Sequence, residues 1–163
     1  MKILAAYASR HGSTREIAEA IAEELRSAGH DVTLQPAKEI QSLAGYDAAV
    51  VGSAVYVGRW LGDAGDMVSQ FKEQLKGLPV WLFSSGPLGE DPYPPGEPEG
   101  LPELVTELGA RDHRVFVGRL AKSELGLGER LVVRAVKAPE GDFRDWEAIR
   151  NWARSIAASL AAT

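Results

Sequence analysis

Cysteine is absent from the 163 residues, and with it go disulfides, thiol catalysis and cysteine-based zinc or iron–sulfur sites. Histidine is scarce. His11, His30 and His113 are the whole supply, with no pair at helical ligand spacing, so a transition-metal site has little support. Positive charge is in deficit, 18 Lys and Arg against 23 Asp and Glu, and the net charge of −5 argues against a nucleic-acid surface. The modest basic cluster of Arg111, His113, Arg114 and Arg119 reads as a solvated strand edge. There is no apolar run of transmembrane length and no signal-peptide pattern ahead of the first strand-like run, so the expectation is a soluble, cytoplasmic protein.

Apolar residues make up 45% of the chain, enough for one well-cored domain over residues 1–163 and too short a chain for two ordinary ones. Strand-like runs at Lys2–Tyr7, Asp31–Leu34, Ala48–Ser53, Pro79–Ser84 and Arg114–Leu120 alternate with helical patterns at Ser13–Ser27, Leu61–Leu75 and Leu101–Leu108. Several of the strand runs are Val-rich with little alternation, as strands covered on both faces require. This βα repeat predicts an α/β fold with a doubly wound parallel sheet of five strands.

The most informative stretch is Tyr7-Ala-Ser-Arg-His-Gly-Ser-Thr14, which leaves the first strand and opens onto a helix carrying Ile17, Ala18, Ile21, Ala22 and Leu25 at helical spacing. The first amides of such a helix have no partners within it, and the dipole there favours negative charge, so the loop suits a phosphate. The hydroxyls of Ser9, Ser13 and Thr14 add donors. The same residues also fit a plainer reading, a capping box in which Ser13 and Glu16 satisfy each other's backbone donors.

Gly86 to Gly100, rich in Pro, Gly and acid, is a loop at a strand's carboxyl end, either a rim of the site or a surface excursion. Ser123 to Lys137 carries Leu125, Leu127, Leu131 and Val132 beside Lys122, Arg130, Arg134 and Lys137. It reads as a short helix interrupted by Gly126 and Gly128, facing either the core or a membrane interface. Near the end, Asp142 is placed to cap a helix whose stripe is Phe143, Trp146, Ile149, Ala153, Ile156 and Leu160, with Trp146 and Trp152 assigned to the core.

The spacing Tyr7-x-Ser9-x-x-Gly12-x-Thr14-x-x-x-Ala18-x-x-Ile21 resembles the FMN-binding signature of flavodoxins, although Ala5 and Ala6 stand where larger aliphatic residues are usual. Val50 to Trp60 and Asp142 to Trp146 extend the resemblance to the flavodoxin-domain branch that includes the menaquinone-dependent protoporphyrinogen IX dehydrogenases. In that branch an inserted segment precedes the last helix; here it is short, Ala121 to Gly141, and thin in Arg and aromatics. The resemblance implies a flavodoxin-like sheet of strand order 2-1-3-4-5 and FMN as cofactor. By carry-over Ser9, Arg10, His11, Gly12, Ser13 and Thr14 would hold the phosphate. Ala54, Val55, Tyr56, Val57 and Gly58, with Ser84, Ser85, Gly86, Pro87 and Leu88, would flank the isoalloxazine. Tyr56 is the first choice for stacking on the ring and Trp60 the second. Gly58 would turn its carbonyl toward flavin N5 when that atom is protonated, and Gly52 is a close-packing glycine.

The implied function is an FMN-dependent redox protein passing electrons or hydride equivalents through flavin N5, of protoporphyrinogen or quinone oxidoreductase type. The alternatives are a one-electron carrier steered to a redox partner protein by acids such as Glu90, Asp91, Glu97 and Glu99, an NAD(P)H-dependent quinone reductase, or a scaffold that no longer binds FMN. No side chain stands out as a general acid or base. A phosphoacceptor receiver domain shares the strand order but needs acidic residues at strand ends where this chain has Tyr7-Ala-Ser and Gly52-Ser-Ala.

Overall fold

The computed structural model describes residues 1–10, 12–56, 58–86, 98–116, 119–120, 141–142 and 145–162. The sequence readings for His11, Val57, Pro87, Leu88, Phe143 and the Ser123–Lys137 helix lie outside the described residues, as does most of the Gly86–Gly100 loop.

Five parallel strands form the centre: β1 (Lys2–Ala8), β2 (Asp31–Pro36), β3 (Ala48–Tyr56), β5 (Val80–Ser85) and β6 (Asp112–Phe116). Their order is β2-β1-β3-β5-β6, the 2-1-3-4-5 arrangement expected from the sequence. A two-residue strand β4 (Arg59–Trp60) folds back antiparallel on β3, pairing Val55 with Trp60 and Tyr56 with Arg59. Outside this sheet, β7 (Arg119–Leu120) pairs antiparallel with β8 (Gly141–Asp142). The fifth predicted strand, Arg114–Leu120, is therefore two separate pieces, β6 and β7.

The β1 and β3 strands sit in the middle, and their small residues let helices approach both faces. On one face Ile3, Ala5, Val50 and Phe83 pack against α1 (Ser13–Ser27) and α5 (Trp146–Ala161). On the other, Leu4, Ala6, Val51 and Leu82 pack against α2 (Gly62–Gln70), α3 (Lys72–Lys76) and α4 (Leu101–Leu108). Burying Ile17, Ile21 and Leu25 of α1 completely contributes about 1.5–3 kcal/mol each. The predicted Leu61–Leu75 helix breaks at Phe71, whose φ of −108° leaves the helical region while its ring stays in the core. Gly52 has its expected packing role, because a Cβ there would run into the Phe83 ring.

Two end caps differ from the sequence reading. The last helix is capped by Asp145, whose carboxylate accepts from Ala148 N at 3.0 Å, since Asp142 lies in β8. The first helix is entered through Gly12 in the left-handed region, φ 85°, and Ser13 makes no capping-box bond. Trp152 is buried in the core, as assigned, donating its indole N–H to Asp112, and Trp146 packs half-buried against the same core. No helix among the described residues is long and apolar enough to cross a membrane.

Candidate functional site

The segment after β1 turns tightly because Gly12 adopts a positive φ that side chains with a Cβ resist. Gly12 N donates to Ser9 Oγ at 3.0 Å, folding the loop back on itself. The first i→i−4 bond of α1 runs from Glu16 N to Gly12 O at 3.1 Å, so the amides of Ser13, Thr14 and Arg15 have no acceptor within the helix. Thr14 is buried. Ser13 Oγ is shut off from solvent and has no hydrogen-bond partner. A hydroxyl left in that condition costs free energy, and beside three amides at the positive end of a helix it is a donor set suited to an anion with several oxygens.

Two further segments lie beside this loop. Pairing Ala8 with Ser53 and Ala54 with Ser85 sets the carboxyl ends of β1, β3 and β5 side by side, at the crevice where parallel sheets of this kind place ligands. Ala54, Val55 and Tyr56 are half-buried and lead into a hairpin turned by Gly58, φ 75°. Arg10 lies over the Tyr56 ring, 4.4 Å from its centroid, and so joins the first loop to the hairpin. Ser84 and Ser85 are buried, and Gly86, φ 89°, donates its N–H to Phe116 O at 2.8 Å. All the candidate residues that the structure describes thus come from three neighbouring segments: Ser9, Arg10, Gly12, Ser13 and Thr14; Ala54, Val55, Tyr56 and Gly58; Ser84, Ser85 and Gly86.

Some features were not visible in the sequence. Gly58 O accepts from Glu99 N at 2.8 Å, and Arg59 makes a two-pronged ion pair with the Glu99 carboxylate at 2.9 and 3.1 Å, tying the hairpin to the turn before α4. The Gly58 carbonyl must leave this bond before it can face a ligand. Trp60 packs against the α2–α4 core, and its indole N–H donates to Ser84 Oγ, which binds it to the protein interior. At the end of β1, burial pushes the Tyr7 phenol above its ordinary value, with Arg15 opposing and Glu19 and Glu39 adding to the shift. Among the described residues no group of three or more His, Asp or Glu is arranged to hold a metal ion.

The flavodoxin domain model matches residues 4–147, from within β1 to the start of α5. The chain belongs to the flavodoxin-domain family. Over 172 aligned residues this flavodoxin domain is 24% identical to the protoporphyrinogen IX dehydrogenase [quinone] of Escherichia coli K12, covering 96% of this chain and 95% of that enzyme. Among solved structures it superposes on oxidised flavodoxin 2 of Bacillus cereus with a TM-score of 0.65 at 23% identity, over 98% of this chain and 99% of that one. The rubredoxin oxygen:oxidoreductase of Desulfovibrio gigas gives a TM-score of 0.66 at 20% identity over 99% of this chain, which spans only 36% of that larger protein. These likenesses establish the fold and, with the family, a flavodoxin-type redox protein. Proteins of this family bind flavin, and the donor set around Ser13 fits the phosphate end of such a group.

Proposed function

We propose that this flavodoxin domain binds FMN and works as an oxidoreductase of the protoporphyrinogen or quinone type. The observation that carries the FMN reading is the buried, unpartnered Ser13 hydroxyl at the opening of α1. Ser9, Gly12, Ser13 and Thr14 hold the phosphate, and Arg10 and His11 contribute charge. Ala54 to Gly58 and Ser84 to Leu88 flank the ring, with Tyr56 supplying an aromatic surface. The flavin, when bound, supplies the electron and hydride chemistry. The protein orients the group, excludes water from one side through the hairpin, and offers backbone groups at the ring's polar edge. The end-to-end similarity to a quinone-linked protoporphyrinogen IX dehydrogenase supports the enzyme reading over that of a one-electron carrier.

The test is an FMN titration followed by flavin fluorescence, then anaerobic mixing of the loaded protein with protoporphyrinogen IX and a menaquinone analogue. Saturable binding followed by porphyrin formation coupled to quinone reduction is the expected result. Binding without turnover, with electrons passed only to redox proteins, favours the carrier. A protein that takes up no flavin overturns the reading altogether.

A further inference from the structure

Beneath the hairpin wall a chain of polar side chains crosses the sheet. Trp60 Nε1 donates to Ser84 Oγ at 2.7 Å, and Ser84 Oγ lies 2.8 Å from His113 Nε2. Ser84 is fully buried, while Trp60 and His113 are half-buried. Strand register produces the alignment. His113 pairs with Leu82, and Ser84, two residues further along β5, points to the same side of the sheet. Ser53, paired with Ser84 across β3 and β5, holds the far end of β4 by accepting from Leu61 N at 3.0 Å.

Counting protons gives the chain a direction for the neutral His113 tautomer that leaves Nε2 bare. An indole N–H only donates, so Ser84 Oγ accepts from Trp60. The serine has one hydrogen of its own to place, and among the described residues Ser84 Oγ meets no third partner. A neutral His113 with a bare Nε2 takes that hydrogen, and every group in the line Trp60 to Ser84 to His113 is satisfied. A protonated His113 presents an N–H at Nε2 instead. Two donors then converge on Ser84 Oγ, while the serine's own hydrogen loses its acceptor in a buried place, where that loss is costly. Ser84 and His113 are each held by strands of the parallel sheet, whereas Trp60 rides on the two-residue strand β4. The weakest link is Trp60.

The geometry points to His113 as a positioning residue whose protonation is transmitted through Ser84 to Trp60 and loosens the β3–β4 hairpin. Its effect on flavin rests on the reading above, in which that hairpin flanks the ring. Among the described residues, these charges surround His113. On its own strand His113 stands between Asp112, which is held by Arg114 and Trp152, and Arg114 itself. From β5 and β4 it meets the neutral groups Leu82, Ser84 and Trp60. Helix α4, packed over the same side of the sheet, carries Glu103 and Glu107, the latter paired with Lys72.

The experiment follows the Trp60 indole N–H resonance of the flavin-free protein, assigned by its loss in Trp60→Phe, from pH 8 to pH 5, where an imidazole gains its proton. The native signal is expected to move in one step toward an exposed, weakly bonded position, and to stay in place in both His113→Gln and Ser84→Ala. FMN affinity measured over the same range should fall about fivefold more in the native protein than in His113→Gln, the factor one net hydrogen bond carries. The variant also reports the phosphate's own pH dependence, leaving the difference to His113. A native signal that does not move, or one that moves equally in His113→Gln, overturns the proposal. A signal that titrates as expected in a protein that binds no FMN supports the relay and overturns the flavin reading alone. If His113→Gln fails to fold, Ser84→Ala decides, since the imidazole is still present there and Trp60 must no longer respond to pH.

Discussion

Replacing Ser13 by alanine should push the free and the flavin-bound protein in opposite directions. In the free protein the Ser13 hydroxyl is buried without a partner, a condition that costs about 1–3 kcal/mol. Alanine removes that cost and is also the better helix former by about 0.5 kcal/mol. Even if much of the first term is offset by the small void left behind, the flavin-free variant should gain about 1 kcal/mol. For a chain of 163 residues this is a rise in Tm of roughly 2–4 °C. Binding shows the reverse. A hydrogen bond to a charged phosphate contributes about 1.5–3 kcal/mol, so FMN affinity should drop roughly 10- to 150-fold. Riboflavin, which shares the ring and lacks the phosphate, separates the two ends of the site, and its affinity should not change. Scanning calorimetry of the flavin-free protein and fluorescence titrations with both flavins check all three statements. A lowered Tm in the free variant, or an equal loss for FMN and riboflavin, would refute the assignment of Ser13 to a phosphate.

Gly52→Ala drives a methyl group into the Phe83 ring, which is itself packed 6.3 Å from Phe116 and 6.2 Å from Trp152. A loss of about 1–3 kcal/mol in urea unfolding is expected, and an unchanged midpoint would show that the ring yields freely. Asp145→Ala removes the carboxylate that caps α5 and should cost about 1 kcal/mol by the same assay. For Tyr7 the folded protein retains the phenolic proton to higher pH than the unfolded chain does. Its contribution is therefore fully present below about pH 10 and is lost as pH rises through the folded value. Tyr7→Phe should flatten the alkaline end of a stability-against-pH curve, and an unchanged curve would count against a raised phenol at this half-buried position.

The five strands and the first helix could be read from the chain because local patterns carry them, short apolar runs for covered strands and the stripe from Ile17 to Leu25 for a helix face, whereas the strand order came only through the resemblance to flavodoxins. The first segment of the candidate site stood out as a loop between strand and helix, while the other two were named through the resemblance and lie at the last residues of β3 and β5 and just beyond them. What escaped the sequence depends on contacts between distant residues. The fold-back at Arg59 and Trp60 leaves a signal of two residues, too short to stand out from a loop. The helix entry turned on Gly12 instead of Ser13 because the chain takes a left-handed step there, leaving the serine's hydroxyl inward, and a capping-box pattern looks the same in either case. Asp142 and Asp145 are equally good caps on paper, and the β7–β8 ladder decided between them. Nothing local in the sequence links Arg59 to Glu99 or His113 to Ser84.

The packing of α5 on α1 has a consequence for how the chain is made. Ile156 and Leu160 belong to the same core cluster as Ile17 and Ile21, and Arg154 reaches across to Glu24 at 3.2 Å, so the last helix covers the first. A ribosome adding about 5–20 residues per second finishes the first helix on the order of ten seconds before it delivers the last. Through that interval the sheet can cover only part of the first helix's apolar stripe, and the flank that α5 will occupy stays open. Translation pauses, or loss of the final helix through a premature stop, would leave that stripe to chaperones and proteases, so the cell's demand on quality control is set by the distance in sequence between the two helices.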